Sequence, residues 1–194
     1  MEIGATKAVQ DRLKTTKIEE SKGASLVFCW DTHLTKIKGR NVLFIVNASN
    51  RYTIAMTDIE PRNWNYYTMY IRSVIHGVMQ EMGYSEDQIG QYFKMSGDTI
   101  VTKTHGRKSV GGINRMVMDA QYFGKKLEKE AKYQWELSEY LNRDICQPEG
   151  FDAYGYPSEL FKLDMERLGI ISKRKPAKII DFTKYIDTNR STNH

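Results

Sequence analysis

The pattern of apolar and polar positions predicts a small sheet built mainly from the first third of the chain. Residues 42–46 are continuously apolar and rich in β-branched side chains, which is typical of an interior strand covered on both faces. Residues 47–50 have the composition of a hairpin turn, and residues 52–56 would form the returning strand. Residues 26–30 and 99–102 have the length and composition of further strands.

Apolar residues at three- and four-residue spacing predict the helices. One buried face follows Pro61 and extends from Tyr67 to Val78, and another begins near Val110 and extends to about Leu141. Shorter helices are predicted over residues 5–14, 85–94 and 158–168. The chain is therefore predicted to be an α+β protein, with a mostly antiparallel sheet of three or four strands and helices packed on it.

The same pattern divides the chain into two parts. Residues 1–143 are predicted to form the α+β core domain, and residues 144–194 a loop, a short helix and a basic C-terminal extension. Residues 173–194 combine charge with a lack of apolar periodicity, so we expect them to be mobile in the free monomer. Alternatively, residues 179–186 dock on a partner or on a second copy of the chain, which leaves a homodimer open.

Composition narrows the class of protein. With 40% apolar and 27% charged residues, the chain is expected to fold rather than remain disordered. Cys29 and Cys146 are isolated, which is typical of a reducing compartment, so we expect a cytoplasmic location. The longest apolar run is too short to span a membrane. No Cys/His spacing fits zinc and no acidic loop fits calcium, so we expect no metal and no cofactor.

Charge points to an anionic partner. The net charge is +5, and basic residues gather at residues 102–115, between a predicted strand and a predicted helix. A helix N-terminus carries partial positive charge and free N–H groups, and glycines let an anion approach the backbone. Ser109 is the predicted N-cap. The predicted anion-binding residues are Lys103, Arg107, Lys108, Ser109, Asn114 and Arg115. An equally weighted alternative is a capped helix start with solvated charges.

A second polar segment offers acid–base chemistry. Asp31 and His33 follow a predicted strand and could serve as an orienting carboxylate and a general base, although an edge strand with its polar residues in water is the favoured interpretation. If His33 and His105 met in space with Arg51 or Lys103 nearby, phosphodiester cleavage without a metal would be conceivable. His33, His105 and Arg51 are therefore the candidate catalytic residues.

Four motifs resemble those of an uncharacterised family of small bacterial proteins, classed as a domain of unknown function. They are I-x-A-T-K-x-x-Q-D-x-L, F-x-W-D-x-H-L, V-N-x-S-N-R-Y and T-K-T-x-G-R-K-S-V-x-G-x-x-N, over residues 3–122. The resemblance implies a cytoplasmic protein of a bacterium or mobile element, and it implies no activity. The positions that match the fixed points of the pattern are Trp30, Asn47, Arg51, Lys103, Arg107, Ser109 and Asn114.

Three functions remain open from the sequence. The leading hypothesis is a module that interacts with nucleic acid, with RNA favoured over DNA, through residues 102–115 and the basic C-terminal extension. The second is a metal-independent ribonuclease of the small toxin type. The third is a protein-interaction subunit, such as an antitoxin or a defence-system component, with an acidic protein as its partner.

Overall fold

The computed structural model describes residues 1–13 and 16–172, so the expectations for residues 173–194 lie outside the described part of the chain. The strands are β1 (Glu2–Ala5), β2 (Cys29–Ile37), β3 (Arg40–Asn47), β4 (Thr53–Thr57) and β5 (Ile100–Thr102). The helices are α1 (Lys7–Gln10), α2 (Pro61–Asn65), α3 (Tyr67–Glu81), α4 (Glu86–Ser96), α5 (Gly106–Gln121), α6 (Trp135–Asn142) and α7 (Pro157–Arg167).

The strands form one mixed sheet in the order β4-β3-β2-β1-β5. Strands β2, β3 and β4 are an antiparallel meander, whereas β1 is parallel to both β2 and β5. The α+β class is confirmed, but the mostly antiparallel sheet of three or four strands is wrong. The difference arises at β1, because no strand was predicted over residues 2–4 and the helix predicted over residues 5–14 is limited to Lys7–Gln10. This four-residue strand contains Glu2 and Gly4, so its pairing is imposed by the neighbours on both sides.

Strand β3 is an interior strand paired with β4, as its apolar composition predicted. Successive side chains of a strand point to opposite faces, and both faces of β3 are buried. Leu43 and Ile45 pack on one side with α3, α4 and α7. Phe44 and Val46 pack on the other side with α5 and α6. The sheet is thus the middle of three layers.

The outer edge of β4 is closed by α6 rather than by another strand. The Asn142 side chain accepts from the Thr53 N–H and donates to the Thr53 carbonyl, both at 2.8 Å. Ser138 Oγ accepts from the Ala55 N–H at 3.0 Å. These bonds replace the ladder that a further strand would supply. They also show why the predicted helix to Leu141 is divided into α5 and α6: the intervening chain has to turn back along the edge of the sheet.

Helix α7, which follows the predicted limit of the core domain at residue 143, packs in the main core. Phe161 is fully buried and lies 5.3 Å from Tyr52 and 6.1 Å from Trp30 between ring centroids. Met165 is part of the same apolar cluster. Across the described residues, none of the helices combines the length and the apolar character needed to cross a membrane.

Candidate functional site

A buried group of charged side chains lies where β1, β2 and the start of α5 meet. Strand register places Gly4 beside Asp31 on one side and beside Thr102 on the other. The chain after Thr102 turns back at His105, so its ring lies over β1. Gly4 makes this possible, because a Cβ there would overlap the Asp31 carboxylate and stand 3.0 Å from His105 Nδ1.

His105 lies between two carboxylates. Nδ1 is 2.7 Å from Asp31 Oδ1, and Nε2 is 3.1 Å from Glu2 Oε2. The exposed fractions of the side chains are 7% for His105, 2% for Glu2 and 0% for Asp31. Burial lowers the pKa of His105, but the interactions with Asp31 and Cys29 outweigh it and raise the pKa to about 10. At neutral pH the ring is therefore an imidazolium ion.

The two carboxylates have further donors. Glu2 accepts from the Ser21 hydroxyl and the Lys22 N–H, both at 2.7 Å, and from the Ala24 N–H at 3.3 Å. Burial raises the pKa of Glu2, but the bonds from Ser21 and the two backbone N–H groups bring the net pKa below its usual value. The Glu2 carboxylate thus also holds the loop over residues 21–24 against the sheet.

Asp31 occupies the start of α5. It accepts from the backbone N–H of His105 at 3.2 Å and from the Ser109 hydroxyl. The prediction that Ser109 is the N-cap is wrong: His105 holds that position, and Ser109 lies one turn into the helix. The reason is that Asp31, brought from β2, supplies the negative charge that a helix N-terminus favours. An external anion would have to compete with it there.

Three side chains of this region could hold a metal ion. The ligand atoms of Glu2, Cys29 and His105 all lie within 4.8 Å of one another. Sequence spacing gave no metal signal, because these residues come from three separate segments. The sequence therefore indicated only an isolated thiol at Cys29 and no role for Glu2, whereas Asp31 and His105 were predicted as candidates for acid–base chemistry.

A basic cleft lies beside the cluster, where α5 meets the β3–β4 hairpin and the loop over residues 147–149. Its volume is about 240 Å³, and its lining includes Arg51, Lys108, Arg115 and Glu149. The Arg51 guanidinium donates to the Gly112 carbonyl at 2.7 Å, and Lys108 Nζ donates to the Pro148 carbonyl at 3.2 Å. Neutral carbonyl groups therefore position these two cations without cancelling their charge.

The geometry of Arg51 depends on two unusual backbone features. Arg51 itself has a positive φ of 62°, which turns its side chain from the β3–β4 hairpin towards α5. Gly112 gives the guanidinium room, since a Cβ at that position would stand 3.0 Å from Arg51 Nε. The hairpin and the helix are thus fitted to each other at the cleft.

The model of a protein family, described as a domain of unknown function (DUF6933), matches residues 2–160. The chain belongs to this family. The resemblance identified from the four motifs is confirmed, and the family match continues through α6 into α7. Neither the curated proteins nor the solved structures yielded a match to this DUF6933 chain.

Within this DUF6933 chain, the predicted anion-binding residues are divided between the cleft and the surface. Lys108, Ser109 and Arg115 line the cleft. Lys103 and Arg107 are exposed on the approach to α5, and Asn114 is exposed on the helix. Alternation along an extended segment had suggested that Lys103 and His105 share a side, but His105 points inward and Lys103 outward.

The candidate catalytic residues have different partners. His33 Nδ1 is 3.2 Å from Thr6 Oγ1, His105 contacts Asp31 and Glu2, and Arg51 contacts the Gly112 carbonyl. Burial lowers the pKa of His33. His33 and Asp31 occupy alternate positions of β2 and share one face of the sheet, about 7 Å apart between Cα atoms.

Proposed function

We propose that this protein is an anion-binding module whose ligand is nucleic acid, with RNA as the favoured ligand. In this proposal the phosphates of the ligand bind in the basic cleft. The observation that carries the proposal is that Arg51, Lys108 and Arg115, from two separate elements, line one cleft. Exposed Lys103 and Arg107 extend the positive surface at the start of α5.

The charge balance of the cleft favours a phosphate-rich ligand. Its lining contains three cations and one carboxylate, Glu149, and Arg51 and Lys108 are held by carbonyl oxygens rather than by carboxylates. Arg115 contacts Asp119 one turn along α5, but its side chain is largely exposed and that pair contributes little. Guanidinium and ammonium groups whose charge is not neutralised by a carboxylate can form charge-assisted hydrogen bonds to phosphate oxygens.

Salt dependence provides the test. Three neutralised phosphates of a single strand give a slope of about −2 for log K against log salt, so binding should weaken about 20-fold between roughly 50 and 200 mM salt. Fluorescence anisotropy with labelled short RNA and DNA strands measures both affinity and slope. The double variant Lys108→Ala/Arg115→Ala should bind about 10-fold more weakly or worse at low salt and show a shallower slope.

The matched control removes two positive charges from the opposite layer. Arg62 in α2 and Lys94 in α4 are exposed, and their helices pack on the other side of the sheet from α5. Arg62→Ala/Lys94→Ala should leave affinity close to that of the wild type. Equal losses in the two double variants would reveal an effect of net charge alone, and undetectable binding at low salt would remove the proposal.

The ribonuclease remains a second candidate because of one observation. The pKa of His33 is lowered while that of His105 is raised, so a neutral and a charged histidine face the same side of β1 and β2 near neutral pH, as an acid–base pair requires. The low exposure of His105 weighs against it. Cleavage of RNA in EDTA that is lost in His33→Ala, with folding intact, would support it.

The protein-interaction role is the third candidate, and it shares the basic surface with the first. If the chain binds neither RNA nor DNA and cleaves neither, the acidic protein partner becomes the better proposal. The same Lys108→Ala/Arg115→Ala variant would then be expected to weaken that complex and make it less sensitive to salt.

A further inference from the structure

We propose that Glu2, Cys29 and His105 form a binding site for a zinc ion or a similar divalent transition metal. Their ligand atoms converge within 4.8 Å of one another, and each residue comes from a different element: β1, β2 and the loop before α5. Cys29 and Glu2 are fully buried, and the His105 side chain is 7% exposed. The proposal does not depend on the anion-binding function.

The chemistry of the three side chains selects the metal. Thiolate, imidazole and carboxylate are the ligands that zinc uses in proteins, with bond lengths of about 2.0–2.3 Å. Around a tetrahedral ion these lengths place neighbouring donor atoms roughly 3.3–3.6 Å apart. His105 Nε2 and Glu2 Oε2, at 3.1 Å, are already close to that separation. Calcium and magnesium, which prefer oxygen ligands, do not fit a site with a thiol.

The arrangement around His105 provides the second observation. Nδ1 is bonded to Asp31 Oδ1 at 2.7 Å, so the ring is fixed with Nε2 aimed at Glu2. A carboxylate on the far nitrogen is the usual companion of a histidine that ligates zinc, because it orients the ring and increases its basicity. Asp31 is itself fixed by the His105 N–H and the Ser109 hydroxyl.

Binding exchanges protons for the metal ion. Without the ion, the proton on His105 Nε2 bridges to Glu2; on binding, that proton and the Cys29 thiol proton leave to solvent. The Nδ1 proton stays in its bond to Asp31. Three protein ligands leave one tetrahedral position for water or another small ligand.

Cobalt titration of the full chain tests the site. After treatment with EDTA and a thiol-free reductant, the protein is titrated with Co²⁺ and followed by its visible and near-ultraviolet absorption. We expect saturation at one ion per chain with a thiolate-to-cobalt charge-transfer band, followed by displacement by Zn²⁺. Absence of saturable binding by the wild-type chain would overturn the proposal, whatever the variants do.

The two cysteines supply a matched pair of variants. Cys29→Ser should lose the charge-transfer band and weaken Zn²⁺ binding at least 10-fold, while Cys146→Ser, which changes a buried cysteine in another cluster, should leave both unchanged. Asp31→Asn should weaken Zn²⁺ binding by about 10- to 100-fold with the band retained. A band that survives Cys29→Ser, or that only Cys146→Ser removes, would refute the assignment. Circular dichroism checks the fold of each variant.

Discussion

Removing His105 is expected to destabilise the protein more than the loss of any surface ion pair. In His105→Ala, the Asp31 and Glu2 carboxylates remain buried but lose the cation between them. Each lost charge-assisted hydrogen bond contributes about 1.5–3 kcal/mol, and two are lost. The donors that remain on both carboxylates offset part of this loss. Breaking a buried pair by removing one partner costs about 3–5 kcal/mol, and we expect the free energy of unfolding to fall by that amount.

The measurement is chemical denaturation in EDTA, so that no metal contributes. Trp30 is buried and donates to the Tyr92 hydroxyl at 2.9 Å, which makes its fluorescence a reporter of the core. A typical domain is stable by only about 5–15 kcal/mol, so the midpoint should move far. Adding Asp31→Asn to His105→Ala should recover part of the loss, since one uncompensated charge disappears.

The control is His76→Ala. His76 also contacts a carboxylate, Glu86 at 3.0 Å, but the two side chains are 37% and 66% exposed. Surface pairs of this kind contribute at most about 1 kcal/mol. If His105→Ala cost no more than His76→Ala, the reasoning that the cluster is a buried charge network would be refuted.

The raised pKa of His105 adds a pH dependence with a definite sign. Because the folded-state pKa is about 10 and the unfolded value is near 6.5, the stabilisation is fully present below about pH 6.5 and is lost as the pH rises towards 10. The groups that face the ring are Asp31, Glu2 and Cys29. The difference in stability between wild type and His105→Ala should therefore shrink from pH 6 to pH 10, and a difference that grows would contradict the assignment.

Two further substitutions test the surroundings of the site and the edge of the sheet. Gly4→Ala places a Cβ against the Asp31 carboxylate and His105 Nδ1, so it should lower the free energy of unfolding by about 2 kcal/mol or more. The control, Gly77→Ala, adds a Cβ at an open helical position and should cause no such loss. Thermal denaturation of the two variants and the wild type measures the difference. Asn142→Ala leaves the buried N–H and carbonyl of Thr53 without partners, so the free energy of unfolding should fall by about 1–3 kcal/mol. Amide hydrogen exchange should become faster, at first only in β4. Unchanged exchange in β4 would contradict the role of α6 in covering the edge of the sheet.

Part of the anion site could be predicted from sequence because its residues are neighbours along the chain. Lys108, Ser109 and Arg115 lie within two turns of α5, and their basic character marks the segment. Arg51 was noticed, but its place in the cleft was not, because it depends on a positive φ and on the absence of a side chain at Gly112. Local composition indicates which segment is basic, not which other segment faces it.

Elements whose buried positions follow a local pattern could be predicted from the amino-acid sequence alone. Residues 42–46 are apolar on both faces, so an interior strand was predictable, and the hairpin to β4 and the apolar faces of α3 and α5 followed from turn composition and helical periodicity. These signals arise because a strand or helix repeats its buried positions every two or roughly 3.6 residues.

The mixed sheet and the buried cluster around His105 depend instead on contacts between segments that are distant along the chain. Residues 2–5 form strand β1 because β2 and β5 pair with them on both sides. A segment of four residues that contains a glutamate and a glycine has no sequence pattern that predicts this strand. His105 meets Asp31 across 74 positions and Glu2 across 103 positions of the chain. Contacts at that separation depend on strand order and register, which no local periodicity in the sequence predicts. For this reason the position of His105 between two buried carboxylates could not be predicted from the basic segment in which it lies.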